Sequence, residues 1–571
     1  MKTNKGNSKK IGYFSQVFKM LHQYLLNNYA VLLVLLGAFL LSGVSAFFVT
    51  VSSETVYSFS LSDFEEGQIS DRTIIAGTSI PADSDNPIEI KDGEKVIRKG
   101  FPITKEAMSK LKRMAEAPAY FDYRVFANKI LYLLLLSVFA FLLFSPVLSE
   151  KPVTVKECVL LAVFFLMVYV SSCLCNRLPL FSSPYNLPIL IPGAFCVLIV
   201  TLLFGQIHGI FFSFVLSFGI LNADASNLIP SLFVLASCLA SNRIVRKIER
   251  RIDMVFVALV LALLHIVFIV VLKVIFSSSF TDSIFSILMI ALNGFMSGIL
   301  ALGFLTPLES ILNTASVFRL MELSDLNNPI MRKMLLTASG TYNHSMMVAT
   351  LAENACRAID ANPLLARVGA YYHDLGKLDQ SEYFVENQTE GNKHNEINPR
   401  LSAAVIKSHV KKGVEKAHQL RLPPEVVEII SEHHGNSAIS FFYNKAKELD
   451  EDAPENEYCY DGNPPSSKES AVVMLADTVE AACRTLKNPS VSRLEKFVHE
   501  LIMGKFNNRQ LDNSELSFRD LAVIEDSFVQ ILAGYYHSRI EYPNQKDPDE
   551  SSSPQNAVAG HQLKATDVAK E

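Results

Sequence analysis

The chain of 571 residues balances 52 Lys+Arg against 57 Asp+Glu for a net charge of −5; half of it is hydrophobic, only 19% is charged, and the mean hydropathy is +0.25. Soluble domains carry roughly 25% charged residues, so this composition excludes a disordered chain or one soluble enzyme and calls for bilayer-spanning segments. Without a basic excess, a grip on a nucleic-acid polymer through its phosphates is excluded as well. No cysteine lies between Val51 and Arg124, and most of the 8 fall in apolar stretches, so a disulfide framework is not indicated.

In chain order, residues 1–28 form a basic leader. Residues 29–51 are too long an apolar run for a signal-peptide core and read as an uncleaved first transmembrane helix. Residues 52–126 form a short polar extracellular segment, whose alternating stretches and charged helical pattern at 104–114 predict a small mixed α/β fold. A seven-transmembrane bundle follows over 127–306, with apolar runs near 130–147, 155–175, 185–204, 207–222, 228–241, 254–276 and 283–305. With the leader inside, the loop carrying Arg243, Arg246, Lys247, Arg250 and Arg251 also falls inside, as the positive-inside rule requires. Only His265 and Lys273 sit clearly within a run, away from the ionisable residues at run starts such as Lys156, Glu157 and His208. His265 is expected to be a hydrogen-bonded packing residue and Lys273 to snorkel, which favours an anchor or signal-receiving bundle over a transporter.

Over residues 307 to 543 helical periodicity dominates, and 10 of the 13 histidines lie from residue 307 onward, seven of them between His344 and His434. His344 opens an apolar helix; His373-Asp374 end another, with Gly376 as its stop and Lys377 just beyond, placed for phosphate charge. His409 lies on an apolar helix, His433-His434 end the helix 424–432 before Gly435, and Asp477 interrupts an apolar helix where an unpaired charge is expensive. Five histidines and two aspartates with no cysteine suit Fe, Mn, Co or catalytic Zn. Two such cations clamp an in-line displacement at phosphorus and activate water, which implies phosphoester hydrolysis. His394, His418, His499, His537 and His561 read as bystanders.

At these residues the sequence resembles the HD superfamily of metal-dependent phosphohydrolases, through the order His344…His373-Asp374…Asp477. More closely it is similar to the seven-transmembrane-HD family and its PgpH-type cyclic di-AMP phosphodiesterases. The strings that carry the likeness are Gly340-Thr-Tyr-Asn-His-Ser, the stretch 361–377, Tyr383-Phe-Val-Glu-Asn-Gln, Ser408-His-Val-Lys-Lys-Gly-Val, Glu432-His-His-Gly, Met474-Leu-Ala-Asp-Thr-Val-Glu and the run 526–543. The resemblance implies a mostly all-α protein: a polytopic membrane bundle of 1+7 spans plus a cytoplasmic all-helical HD domain, multi-pass in the cell membrane. It implies hydrolysis of cyclic di-AMP to pApA at two divalent cations, Mn or Fe, held by His344, His373, Asp374, His409, His433, His434 and Asp477. Asp374 and Lys377 are the implied catalytic residues, Lys377 neutralising a substrate phosphate, and Asn387 helps to shape the substrate pocket.

Two departures stand out. Asn343 occupies a position that is often a second histidine, and the outer segment is far shorter than the family's usual extracellular domain, keeping what resembles its beginning at Gly67-Gln-Ile-Ser and its end at 93–114. The HD-GYP cyclic di-GMP hydrolases are disfavoured, because Asn436-Ser-Ala-Ile-Ser-Phe-Phe-Tyr follows Gly435 in place of the GYP element. The competing readings are a receptor with a non-hydrolytic HD domain, and the same centre acting on another nucleotide such as (p)ppGpp. A homo-oligomer is compatible with this organisation, the signal received by the bundle or outer segment is unidentified, and 544–571 reads as a disordered tail.

Overall fold

The computed structural model describes residues 29–537, with 19, 22, 24, 26 and 27 before them, except 51–60, 77–78, 83–86, 92, 117–122, 149–152, 176–177, 179–180, 182, 225–226, 249, 281–282, 389–390 and 487–488. The tail expected at 544–571 and most of the leader lie outside the described residues. The chain divides into two compact units, Met1–Phe318 and Arg319–Glu571.

In the first unit the apolar runs form α1 (Tyr29–Thr50) and, after the outer segment, α3 (Tyr123–Phe144), α4 (Val155–Cys175), α5 (Gly193–Phe204), α6 (Gln206–Ala223), α7 (Leu228–Ile244), α8 (Asp253–Ile275) and α9 (Ser283–Leu312). Six of these are long and apolar enough to cross a membrane, whereas α5 and α7 are shorter, at 12 and 17 residues. The run at 185–204 becomes α-helical only at Gly193, after a 3₁₀ turn at Leu187–Ile189, because Pro188 and Pro192 interrupt it. Backbone left unpaired there would be costly within a bilayer, and α9 satisfies part of it: Asn293 donates to the carbonyls of Ile189 (3.0 Å) and Ile191 (3.3 Å). α5 is buried at every residue but Phe204, as an all-round apolar helix must be. His265 has the packing role expected of it, with Nδ1 against the Ile290 carbonyl at 3.2 Å and Nε2 against the Ser237 hydroxyl at 2.5 Å.

The outer segment is a small mixed fold, as its alternation suggested. β1 (Ile74–Ile75) and β2 (Lys95–Ile97) pair antiparallel with a register shift, and α2 (Lys105–Ala115) is capped by Thr104, whose side chain accepts from the Ala107 N–H. Ile74, Ile90, Ile97, Ile103, Leu111 and Met114 close its core. Lys110 ties α2 to the hairpin through Glu94 at 2.7 Å.

The second unit is helical: α10 (Val317–Leu323), which begins just before the division, α11 (Pro329–Thr337), α12 (Ser339–Ala358), α13 (Pro363–Tyr372), α14 (Pro399–Gln419), α15 (Pro424–Glu432), α16 (Ser440–Leu449), α17 (Lys468–Cys483), α18 (Val491–Asn507) and α19 (Phe518–His537). Three starts share one device, an asparagine cap followed by proline at the first helical position: Asn328, Asn362 and Asn398 each accept a backbone N–H of the first turn. α17 is the axis of the unit, buried from Ser470 to Asp477, and packs against α12, α13, α15 and α18.

The closest helix pairing in the bundle, α8 against α9, rests on Gly294 and Gly298. A Cβ at Gly298 would lie 2.6 Å from the Cβ and 2.7 Å from the Cα of Ala258. Gly298→Val must therefore push the helices apart, an overpacking cost of about 1–3 kcal/mol. Gly303→Ala on the same helix meets nothing within 4 Å. Thermal unfolding in detergent is expected to show a clear loss for the first and none for the second.

Candidate metal centre

Four helices and one turn converge on the centre. His344 lies in the second turn of α12, buried as its apolar spacing suggested. His373 and Asp374 follow the end of α13, His409 sits in the middle of α14, His433 and His434 follow α15, and Asp477 lies on α17. Gly435 takes φ +54° after the histidine pair and ends that helix. Gly376 does not act as the expected left-handed stop: the chain continues as a 3₁₀ turn, Leu375–Asp379. Its smallness serves close approach instead, since a Cβ there would collide with the carbonyl of His409 and lie 2.6 Å from the nitrogen of Gly413.

The side-chain geometry is that of a paired site. Asp374, 1% exposed, faces one group of imidazoles with each oxygen. Its Oδ2 is 3.2 Å from His373 Nε2 and 3.7 Å from His344 Nε2; its Oδ1 is 3.4 Å from His409 Nε2 and 3.8 Å from His433 Nε2. Asp477 closes the other side, with Oδ1 at 3.0 Å from His344 Nε2 and Oδ2 at 3.6 Å from His434 Nδ1. His344, His373 and Asp477 form one ligand-like group, and His409, His433 and His434 another. All seven residues singled out from the sequence come together here.

Three of the rings are held in one tautomer. The Nδ1–H groups of His373, His409 and His433 donate to the carbonyls of Ala370 (2.7 Å), Ile406 (2.6 Å) and Ile430 (2.8 Å), which leaves each Nε2 with a lone pair pointing inward. The Nε2 atoms of His409 and His433 then face each other at 3.2 Å, a contact that a cation or a shared proton between them reconciles. The His373 Nε2 and Asp374 Oδ1 atoms are buried without a hydrogen-bond partner. Burial pushes His409 down to about 4 and His433 down to about 3, so both rings are neutral, the form that binds metal. Burial opposes a charge on His344, yet Asp477 and Glu480 on either side raise it to about 10, so the space its Nε2 faces is one that holds positive charge. Burial opposes the charge on Asp374 too, yet its positive surroundings, with the Lys377 ammonium nearest at 2.6 Å, hold its carboxyl well below the usual carboxylate range. This donor set, imidazole and carboxylate with orphaned inward atoms, fits divalent metal ions.

Lys377 is not free in the cavity. Its ammonium lies 2.6 Å from Asp374 Oδ2 and 2.8 Å from Glu386 Oε1, and over the Phe384 ring at 4.9 Å. Burial works against its charge, but the two carboxylates hold its pKa above the ordinary lysine value. Asn387, expected to shape the substrate pocket, does not line the cavity, because its amide is engaged elsewhere. Its oxygen accepts from the Thr341 N–H at 3.0 Å, and its nitrogen donates to the Thr341 hydroxyl (2.8 Å) and the Ser381 carbonyl (3.3 Å). It caps α12 from outside that helix, which has no side-chain cap of its own. The cavity beside the centre is lined instead by Phe384, Glu386, Ile406, Tyr460, Ala481 and Arg484, along with Lys377 and four of the metal-type residues. Tyr460 comes from the acidic, proline-containing stretch between α16 and α17, and stacks on His434 at 4.3 Å. His394, read as a bystander, is buried between Tyr383 and Phe442 with Nε2–H donating to the Tyr383 carbonyl, which makes it a packing residue.

Loss of that outside cap is measurable. Asn387→Ala should cost about 1–2 kcal/mol by leaving the first turn of α12 unsatisfied, read as a lower unfolding temperature. An unchanged melt would show that Asn387 does not cap α12.

Comparison with known proteins places these features in a family. The HD domain family matches residues 341–482, and the family described as a 7TM receptor with intracellular HD hydrolase matches 125–316. The cyclic-di-AMP phosphodiesterase PgpH of Listeria monocytogenes is 30% identical over 518 residues, covering 89% of this chain and 71% of that protein. The protein of the same name from Bacillus subtilis is 45% identical over 257 residues, and the match spans 45% of this chain and only 36% of the relative. The crystal structure of the L. monocytogenes PgpH HD domain in complex with cyclic-di-AMP is 38% identical, covers 37% of this chain and 100% of that chain, and superposes with a TM-score of 0.36.

Proposed function

The chain belongs to the 7TM-HD family, and on that premise we propose that it is a membrane-bound, metal-dependent phosphodiesterase that hydrolyses cyclic di-AMP to pApA and so lowers the level of this second messenger. The observation that carries the reading is the set of inward-facing imidazole nitrogens around a sealed Asp374, among them the Nε2 atoms of His409 and His433 in contact. The relatives named as cyclic-di-AMP phosphodiesterases support the substrate.

In this reading His344, His373, Asp374, His409, His433, His434 and Asp477 hold two divalent ions, Mn or Fe. Bound there, such ions supply Lewis-acid polarisation of the phosphodiester and activation of water. The chain's own groups do the rest. Asp374 stays ionised and would offer one carboxylate oxygen to each group of imidazoles. Lys377, locked in its charged form by two carboxylates, offsets phosphate charge and does not act as a base. Phe384, Ile406 and Tyr460 give the cavity apolar and aromatic walls suited to a nucleobase, and Arg484 stands at its rim. The leader and the HD domain belong on the cytoplasmic face of the cell membrane, an assignment supported by the basic loop at 242–253.

The test uses the full chain in detergent with Mn²⁺ or Fe²⁺, a panel of cyclic di-AMP, cyclic di-GMP and ppGpp, and chromatographic detection of products. Conversion of cyclic di-AMP to pApA is expected, abolished by chelation and restored by added metal. Asp374→Ala should lose more than about 100-fold, the upper end for a merely supporting residue. No turnover of cyclic di-AMP, or full turnover in Asp374→Ala, would overturn the reading.

A further inference from the structure

Of the five imidazoles of the centre, only His344 has a carboxylate facing each of its two nitrogens. His373, His409 and His433 each lean on a backbone carbonyl of their own helical turn. His344 instead directs Nδ1 to the carboxylate of Glu480. Glu480 stands three residues after Asp477 on α17, so one helix face grips both nitrogens of the same ring: Asp477 at Nε2, Glu480 at Nδ1. The Glu480 side chain is only 13% exposed, and nothing in the matched sequence motifs marks it as a ligand.

We infer that Glu480 is a positioning residue that makes the two cation positions unequal, the one formed by His344, His373 and Asp477 being the tighter. The inference rests on the two-cation reading above. A carbonyl presents a dipole to the far side of an imidazole, whereas a carboxylate presents a full charge; it draws the Nδ1 proton toward itself and makes the Nε2 lone pair a stronger donor. The charges add in the same direction. The His344 position has Asp477, one oxygen of Asp374 and the charge of Glu480 behind the ring. The opposite position has His409, His433 and His434, the other oxygen of Asp374 and the second oxygen of Asp477, 3.6 Å from His434 Nδ1, so Glu480 is the charge that the two positions do not share. Lys377 lies on the Oδ2 side of Asp374 and offsets part of this difference, but Glu386 pairs with it in turn.

The experiment is a Mn²⁺ titration of the full chain in detergent, with free Mn²⁺ followed by electron paramagnetic resonance. The unsubstituted protein should show two classes of site, and His409→Ala should remove the weaker class while leaving the tighter. Glu480→Gln keeps an acceptor for Nδ1–H but removes the charge, and should weaken the tighter class about 10-fold; Glu480→Leu removes both and should approach about 100-fold. The weaker class should not move in either. Glu525→Gln, which breaks an ion pair with His499 away from the centre, should change neither class. If the leucine variant does not fold, the near-isosteric glutamine variant decides alone. Two equal sites in the unsubstituted protein, or a glutamine variant that weakens both classes alike or neither, would overturn the inference and leave the two-cation reading standing. Binding of no Mn²⁺ by the unsubstituted protein would remove both.

Discussion

A carboxylate sealed from water and shared between two groups of imidazoles is the constraint around which the second unit is built. A buried ion that lacks compensation costs several kcal/mol, and Asp374 at 1% exposure has no solvent to relieve it. Its compensation must arrive from α12, α14, α15 and the turn after α13. Each of those elements therefore has to stop, start or approach within narrow limits. Gly376 permits the turn to touch α14 at His409 and Gly413, and the asparagine–proline starts fix where α13 and α14 begin. Glu432, at the end of α15, accepts from Ser466 and Ser470 and so pins the helix that delivers His433 against α17.

The same charge organises the surroundings through a continuous chain of contacts. Asp374 holds Lys377, Lys377 holds Glu386, and Glu386 accepts from the Thr341 hydroxyl in the first turn of α12. Asn387 adds two further bonds to Thr341. Three residues further along that helix stands His344, back at the centre. The circuit closes on itself, so the orientation of one metal-type ligand depends on the ion pair made by another. Such coupled networks are not additive in their parts.

Most of the helices and all seven metal-type residues were legible in the sequence, for definite physical reasons. Hydrophobic runs and periodicity report burial directly, and a buried histidine or aspartate within such a pattern stands out because it is costly. What escaped was of another kind. Glu386 and Glu480 look like ordinary surface acids in sequence; their role depends on which tertiary neighbour they meet. Tyr460 sits in a polar stretch whose path back to the centre is set by the isolated bridge between Ala438 and Cys459. Gly376 was visible as a glycine after a helix, and a helix stop is the common reason for one; the actual reason, contact with another helix, is not local. Likewise the apolar run at 185–204 has the length of a span, but two prolines leave only its second part α-helical.

That shortened helix bears on how the protein is made. Twelve residues rise only about 18 Å, well under the roughly 30 Å of a hydrocarbon core, and Gly205 alone separates α5 from α6. A segment of this kind has no independent hold on the bilayer. Its place is secured by the partners that enclose it, so during biosynthesis it enters as the leading half of a hairpin completed by α6, and its final depth is decided by assembly of the bundle and not by its own partitioning into lipid.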